Sequence, residues 1–219
     1  MGLIARWRAF LVLFFALSGL AIMAYGIGFW IPEFLRRTYD LSPQELGYWI
    51  QWRGVITIAF GLIGVLIGGW MCDYFQKRYE DGYVRVCLVS FIVMAFGYCL
   101  FTLMPTPQLA VLFLIPATLG AAAPTAAGAA AVVSIAPPTM RAQCVAFYYF
   151  ILNAVGFFVG PTAVALVTDF YFADEEQLRY SMFAVAAAVS VIGTWLLLYN
   201  LPHFRAAARE AKQWTEGAV

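Results

Sequence analysis

Few side chains in this chain could do chemistry, and their placement limits what that chemistry is. Arg53 stands in YWIQWRGVITIAF, about two turns into a long apolar run. A guanidinium at that depth is costly to bury and is a functional candidate by default. It could meet an anionic group on a solute, or Glu33, Glu45 or Asp169. The competing reading lets it snorkel to a surface about 10 Å away. Thr57 falls on the same helical face. Asn153, in NAVGFFVGP, could donate to a ligand or to a neighbouring helix, while Tyr25, Phe29 and Trp30 are spaced to share a face that reads as core, interface or cavity wall. Asp73 ends the run GLIGVLIGGWMCD, with Lys77, Arg78 and Arg85 close behind. Such a cluster is either a set of solvated charges or a latch at the membrane surface.

Covalent catalysis is poorly served by this inventory. The only histidine, His203, lies at the end of the last apolar run, so no Ser–His pair forms at membrane depth. Cys72, Cys87, Cys99 and Cys144 are scattered without the spacing of a metal site or a disulfide framework. No Gly-x-x-x-x-Gly-Lys loop is present for ATP. Neither an enzyme nor a cofactor or metal protein is expected.

The positioning elements follow from composition. With 63% hydrophobic and 11% charged residues, the chain is far from a soluble domain, where about 25% charged is usual. Six apolar runs, at about 8–32, 46–71, 84–104, 109–134, 141–168 and 180–201, are each long enough to cross a core of about 30 Å. All six are expected to be helices in one bundle, because lipid leaves the backbone of an open strand without partners. Arg6, Arg8, Lys77, Arg78, Arg85, Arg141, Arg205, Arg209 and Lys212 would fall on one side of the membrane. Only Arg36, Arg37 and Arg179 would fall on the other, beside Glu33, Asp40, Glu45, Asp174, Glu175 and Glu176. That bias predicts both termini in the cytoplasm. Trp7, Trp30, Tyr48, Trp49, Tyr83 and Trp214 fall near the expected interfaces.

Small residues mark where helices should touch. Gly61, Gly64 and Gly68 share a face, and Gly156 and Gly160 form a Gly-xxx-Gly pair before Pro161; both read as packing faces. The fourth run, PATLGAAAPTAAGAAAVVSIAPP, is nearly all small residues and carries Pro116 and Pro124 inside it. It is read as closely packed rather than as a bending gate. Cutting the chain after the third run gives two triplets that enter the membrane from opposite sides. The second helix of each ends on a small residue four positions before an aspartate, Asp73 or Asp169, an echo expected of inverted repeats.

The stretch GGWMCDYFQKR resembles the loop signature of the major facilitator superfamily, G-G-x-x-x-D-R-x-G-R-R. Gly68, Gly69, Asp73, Lys77 and Arg78 match it, while Tyr74 stands where the family has arginine and Gln76 where it has glycine. YGIGFWIPEFLRRTYDLSPQELG, APPTMRAQCVAFYYFILNAVGFFVGP and TDFY resemble the C-terminal half of spinster-type members. The resemblance implies an all-α membrane fold of two inverted three-helix repeats, and alternating access about a central site. It implies that Asp73, Lys77, Arg78 and Arg141 belong to the cytoplasmic gate, and that the substrate class is that of spinster-type members, lysolipids or sphingoid lipids moved by a proton- or gradient-driven carrier.

The expected protein is therefore a secondary carrier of a small organic solute, amphipathic or anionic, in the bacterial inner membrane. Arg53, Thr57, Tyr25, Trp30 and Asn153 are its candidate solute contacts. Such carriers have twelve helices, so a second six-helix half is expected, as a homodimer partner or a separately encoded chain. The alternative is a truncated or non-transporting subunit that binds a partner.

Overall fold

A chain surrounded by lipid must satisfy its backbone within itself, and continuous helices do so. The computed structural model describes residues 2–216, with side chains from 7 to 211; Arg6, Lys212 and Trp214 therefore lie outside the side chains described. The helices are α1 (Gly2–Ala21), α2 (Gly28–Tyr39), α3 (Pro43–Gln76), α4 (Gly82–Leu103), α5 (Pro107–Ala122), α6 (Pro124–Ile135), α7 (Arg141–Leu166) and α8 (Leu178–Glu216). A wide π-helical turn, Ile22–Ile27, joins α1 to α2, and another, Val167–Phe172, extends α7. Among the described residues these give six helices long and apolar enough to cross a membrane: Trp7–Tyr39, Pro43–Gln76, Gly82–Leu103, Pro107–Ile135, Pro138–Phe172 and Glu175–Ala211. They are the first to sixth spans below.

Several helices outrun their apolar cores. The first span continues past Pro32 to Tyr39, because Glu33 is held by Arg36 and Arg37 along the same helix face. A left-handed Asp40 (φ 49°) then ends it. Ser42 restarts the chain as an N-cap, exchanging hydrogen bonds with Glu45 ahead of Pro43. The sixth span runs on as a polar helix beyond the apolar stretch that ends near 201.

The spans pack in a pattern that is unchanged when the two triplets are exchanged. The first packs on the fifth and sixth, the fourth on the second and third, and the third on the sixth. The same shift that carries Asp73 to Asp169 carries Gly64 to Gly160 and Gly26 to Ala122, and the packing obeys it. A Cβ on Gly64 would lie 2.9 Å from Ala122 Cβ, and one on Gly160 would lie 2.8 Å from the Gly26 nitrogen. Small residues thus let helix backbones meet at matching places in both halves. Between the third and fourth spans, Gly97 lies against Ala117 and Gly120 against Met94 in the same manner.

Ion pairs and cavities show which loops share an end. At one end Asp81 meets Arg205, and Trp7, Phe10, Pro137 and Met140 line a single apolar cavity of about 210 Å³. At the other end Arg37 pairs with Glu175, while Tyr39 and Arg179 both donate to the Met104 carbonyl. Charged loops therefore alternate between ends, as six crossings require. Burial is uneven: 61% of the most apolar stretch of the first span is covered, against 17% in the second and in the fifth.

Candidate functional site

The first span is where the candidate contacts converge. Its π-helical turn spreads the backbone around Tyr25, close to the middle of the 33-residue span. Tyr25 stacks on Phe157 with ring centroids 4.1 Å apart and donates its hydroxyl to Asn153 Oδ1 at 2.8 Å. Asn153 Nδ2 in turn donates to the Tyr149 carbonyl at 2.7 Å, and the Tyr149 hydroxyl reaches the Thr125 carbonyl at 3.4 Å. Tyr25, Pro124, Thr125, Tyr148 and Tyr149 border a cavity of about 130 Å³ between the first, fourth and fifth spans. One turn further along, Trp30 Nε1 donates to the Pro161 carbonyl at 3.0 Å.

These bonds exist because the helices come unusually close. A Cβ on Gly156 would lie 2.5 Å from Tyr25 Cδ2, so only glycine admits the ring there, and Gly26 and Gly160 meet backbone to backbone. The Gly-xxx-Gly pair before Pro161 thus sets the distance at which Tyr25 can reach Asn153. Gly61 is looser, with Thr118 Cγ2 3.9 Å from where its Cβ would be.

Arg53 approaches the first span from the opposite side. Its Nη2 donates to the Gly28 carbonyl at 3.1 Å, and the side chain is half-buried. None of the three acids considered as partners is the one it meets. Glu33 is already engaged by Arg36 and Arg37, and Glu45 caps its own helix through Ser42. Asp169 is exposed and has no bonding partner among the described residues. Thr57 turns its hydroxyl to the Arg53 carbonyl at 2.9 Å, within its own helix.

The residues of the loop signature are differently disposed. Gly68 is pressed against the fourth span, with Ala123 O 2.2 Å from where its Cβ would lie, whereas nothing comes within 4 Å of a Cβ on Gly69. Asp73, Lys77 and Arg141 are exposed and, among the described residues, bond neither to one another nor to Arg78. Arg78 instead donates to the Tyr74 hydroxyl at 2.7 Å. Tyr74 stands where the family signature has arginine, and it occupies the basic residue that would otherwise look for an acid.

The ionic cluster at this end centres on a residue the sequence reading passed over. Asp81 is buried, with 1% of its side chain exposed, and accepts from Arg85 Nε at 3.0 Å and Arg205 Nε at 2.9 Å. It ties the start of the third span to the end of the sixth, and Arg209 pairs with Glu80 beside it at 2.7 Å. Arg85 also lies 3.9 Å from the centre of the Tyr79 ring. The only local signal is the four-residue spacing of Asp81 and Arg85, which fits a helix pair.

Comparison with known proteins agrees with this architecture. The sequence profile of the Major Facilitator Superfamily matches residues 8–217. Over 196 residues the chain is 26% identical to an MFS-type efflux pump of Mycolicibacterium smegmatis, covering 87% of this chain and 45% of the pump. Its fold is similar to that of a bacterial homolog of the human lysosomal transporter Spinster, solved inward-facing and occupied (TM-score 0.61, 18% identity, 92% of this chain and 49% of that one). It is also similar to the inward-open xylose transporter XylE of E. coli (TM-score 0.60, 16% identity, 89% and 46%). The chain spans about half the length of these relatives. With six membrane-length helices, the exchangeable triplet packing and a profile match along nearly its whole length, the chain belongs to the Major Facilitator Superfamily.

Proposed function

We propose that this chain is one six-helix half of a secondary transporter. It moves a small amphipathic or anionic organic solute by alternating access, against a second six-helix bundle. The observation that carries this reading is the chain of hydrogen bonds from Tyr25 through Asn153 to Tyr149 and Thr125. It borders a cavity near mid-membrane, beside helices whose outward faces are largely uncovered. Polar groups at that depth belong to a solute or ion route by default. The second and fifth spans supply the faces on which the other bundle would sit. Asp73, Lys77 and Arg141, exposed at one end without ion pairs to each other, are placed to latch onto that bundle. The excess of Lys and Arg at this end supports a reading in which it, and both termini, face the cytoplasm of a bacterial inner membrane.

The test is solute uptake by proteoliposomes holding the complete assembly. Asn153→Leu is expected to lower uptake about tenfold, equivalent to about 1.4 kcal/mol of lost interaction. Tyr25→Phe, which keeps the stacking on Phe157 and removes one hydroxyl, is expected to lower it by about half that free energy. Unchanged uptake in both variants would show that solute passes elsewhere.

A further inference from the structure

We propose that Arg53 is a positioning residue, supplying the Gly28 carbonyl with the hydrogen bond that Pro32 cannot give. In an α-helix the N–H four residues on donates to each carbonyl, and for Gly28 that residue is Pro32, which has no N–H. Within a membrane span a carbonyl freed in this way needs a donor from a neighbouring helix, a nearby side chain or an ordered water. Arg53 Nη2 lies 3.1 Å from the Gly28 oxygen and comes from a different helix, α3. Gly28 directly follows the π-helical turn Ile22–Ile27, so the freed carbonyl sits just past the place where the helix of the first span widens. The guanidinium lies directly beside this backbone: a Cβ at 28 would stand 3.6 Å from Nη2, an ordinary contact. Among the described residues the Gly28 carbonyl is the acceptor this guanidinium meets, with Glu33 and Glu45 bound elsewhere.

Arg53 therefore holds the outer half of the first span at a fixed angle to the half that carries Tyr25. Its consequence for transport rests on the reading above, but its structural role does not. The experiment is backbone amide exchange over residues 26–36, in detergent, for the parent, Arg53→Met, Pro32→Ala and the double variant. Arg53→Met is expected to speed exchange there about tenfold by letting the freed carbonyl open the helix locally. Pro32→Ala restores an N–H, so the double variant is expected to return to within about twofold of the parent. If Arg53→Met does not fold, recovery of folding in the double variant supports the proposal as well. Unaltered exchange in Arg53→Met, or no rescue by Pro32→Ala, overturns it. Uptake measured alongside separates the two readings. Rescued exchange with no solute moved by any variant leaves Arg53 in this role and removes the transport function; lost uptake with unaltered exchange makes Arg53 a solute contact instead.

Discussion

Gly68→Ala is expected to lose about 3 kcal/mol of stability in detergent, while Gly69→Ala, one residue on, is expected to be neutral or slightly stabilising. A methyl group at 68 would sit 2.2 Å from the Ala123 carbonyl oxygen and 2.7 Å from its Cα, inside any real contact distance. The obstruction is backbone, so no side chain can swing aside. The fourth span cannot retreat either, because Gly120 and Gly97 hold it equally tightly against the third. At 69 nothing lies within 4 Å, and alanine there gains about 0.5–1 kcal/mol of helix preference over glycine. Thermal or denaturant midpoints of the two variants check this directly. Equal midpoints would mean that the second and fourth spans do not meet as described. Gly160→Ala probes the same arrangement in the other triplet, where the neighbour is the Gly26 backbone.

The buried carboxylate at the other contact gives an asymmetric expectation. Arg85→Met with Arg205→Met should destabilise the protein by about 4 kcal/mol, whereas Asp81→Asn should lose only about 2 kcal/mol. The reason is where each charge is left. Without the arginines, Asp81 keeps a carboxylate with 1% of its surface exposed and no counter-charge. Without the acid, Arg85 and Arg205 retain 29% and 42% exposure and can turn to water. Unfolding midpoints of the two variants check it. If Asp81→Asn proved the more damaging, the cluster would be acting through the geometry of the α4 start rather than through charge.

Much of this protein was legible one segment at a time. The spacing of apolar runs located six spans, since a helix must cover the hydrocarbon whatever it packs on. Gly64, Gly156 and Gly160 were readable as contact points because small residues at helical spacing have little other use in lipid. The resemblance of GGWMCDYFQKR to a family signature named the superfamily, and the profile match agrees. Helix ends were less visible. The first apolar run ends at about 32, yet the helix passes through Pro32 to Tyr39, with Glu33 paired to Arg36 and Arg37 along its face.

What the sequence determined by itself was therefore the number of membrane-length helices and the faces made of small residues, consequences of hydrophobic length and short-range periodicity, and the family, through its loop signature. The tertiary structure alone decided which partner each polar group found. Arg53 meets a carbonyl and not an acid, Asp81 meets an arginine more than a hundred residues away, and Tyr25 meets Asn153 across a glycine seam. The physical reason is that a polar group in lipid takes whichever donor or acceptor the packing brings within about 3 Å. That distance is set by where helix backbones can touch, which no stretch of residues specifies alone.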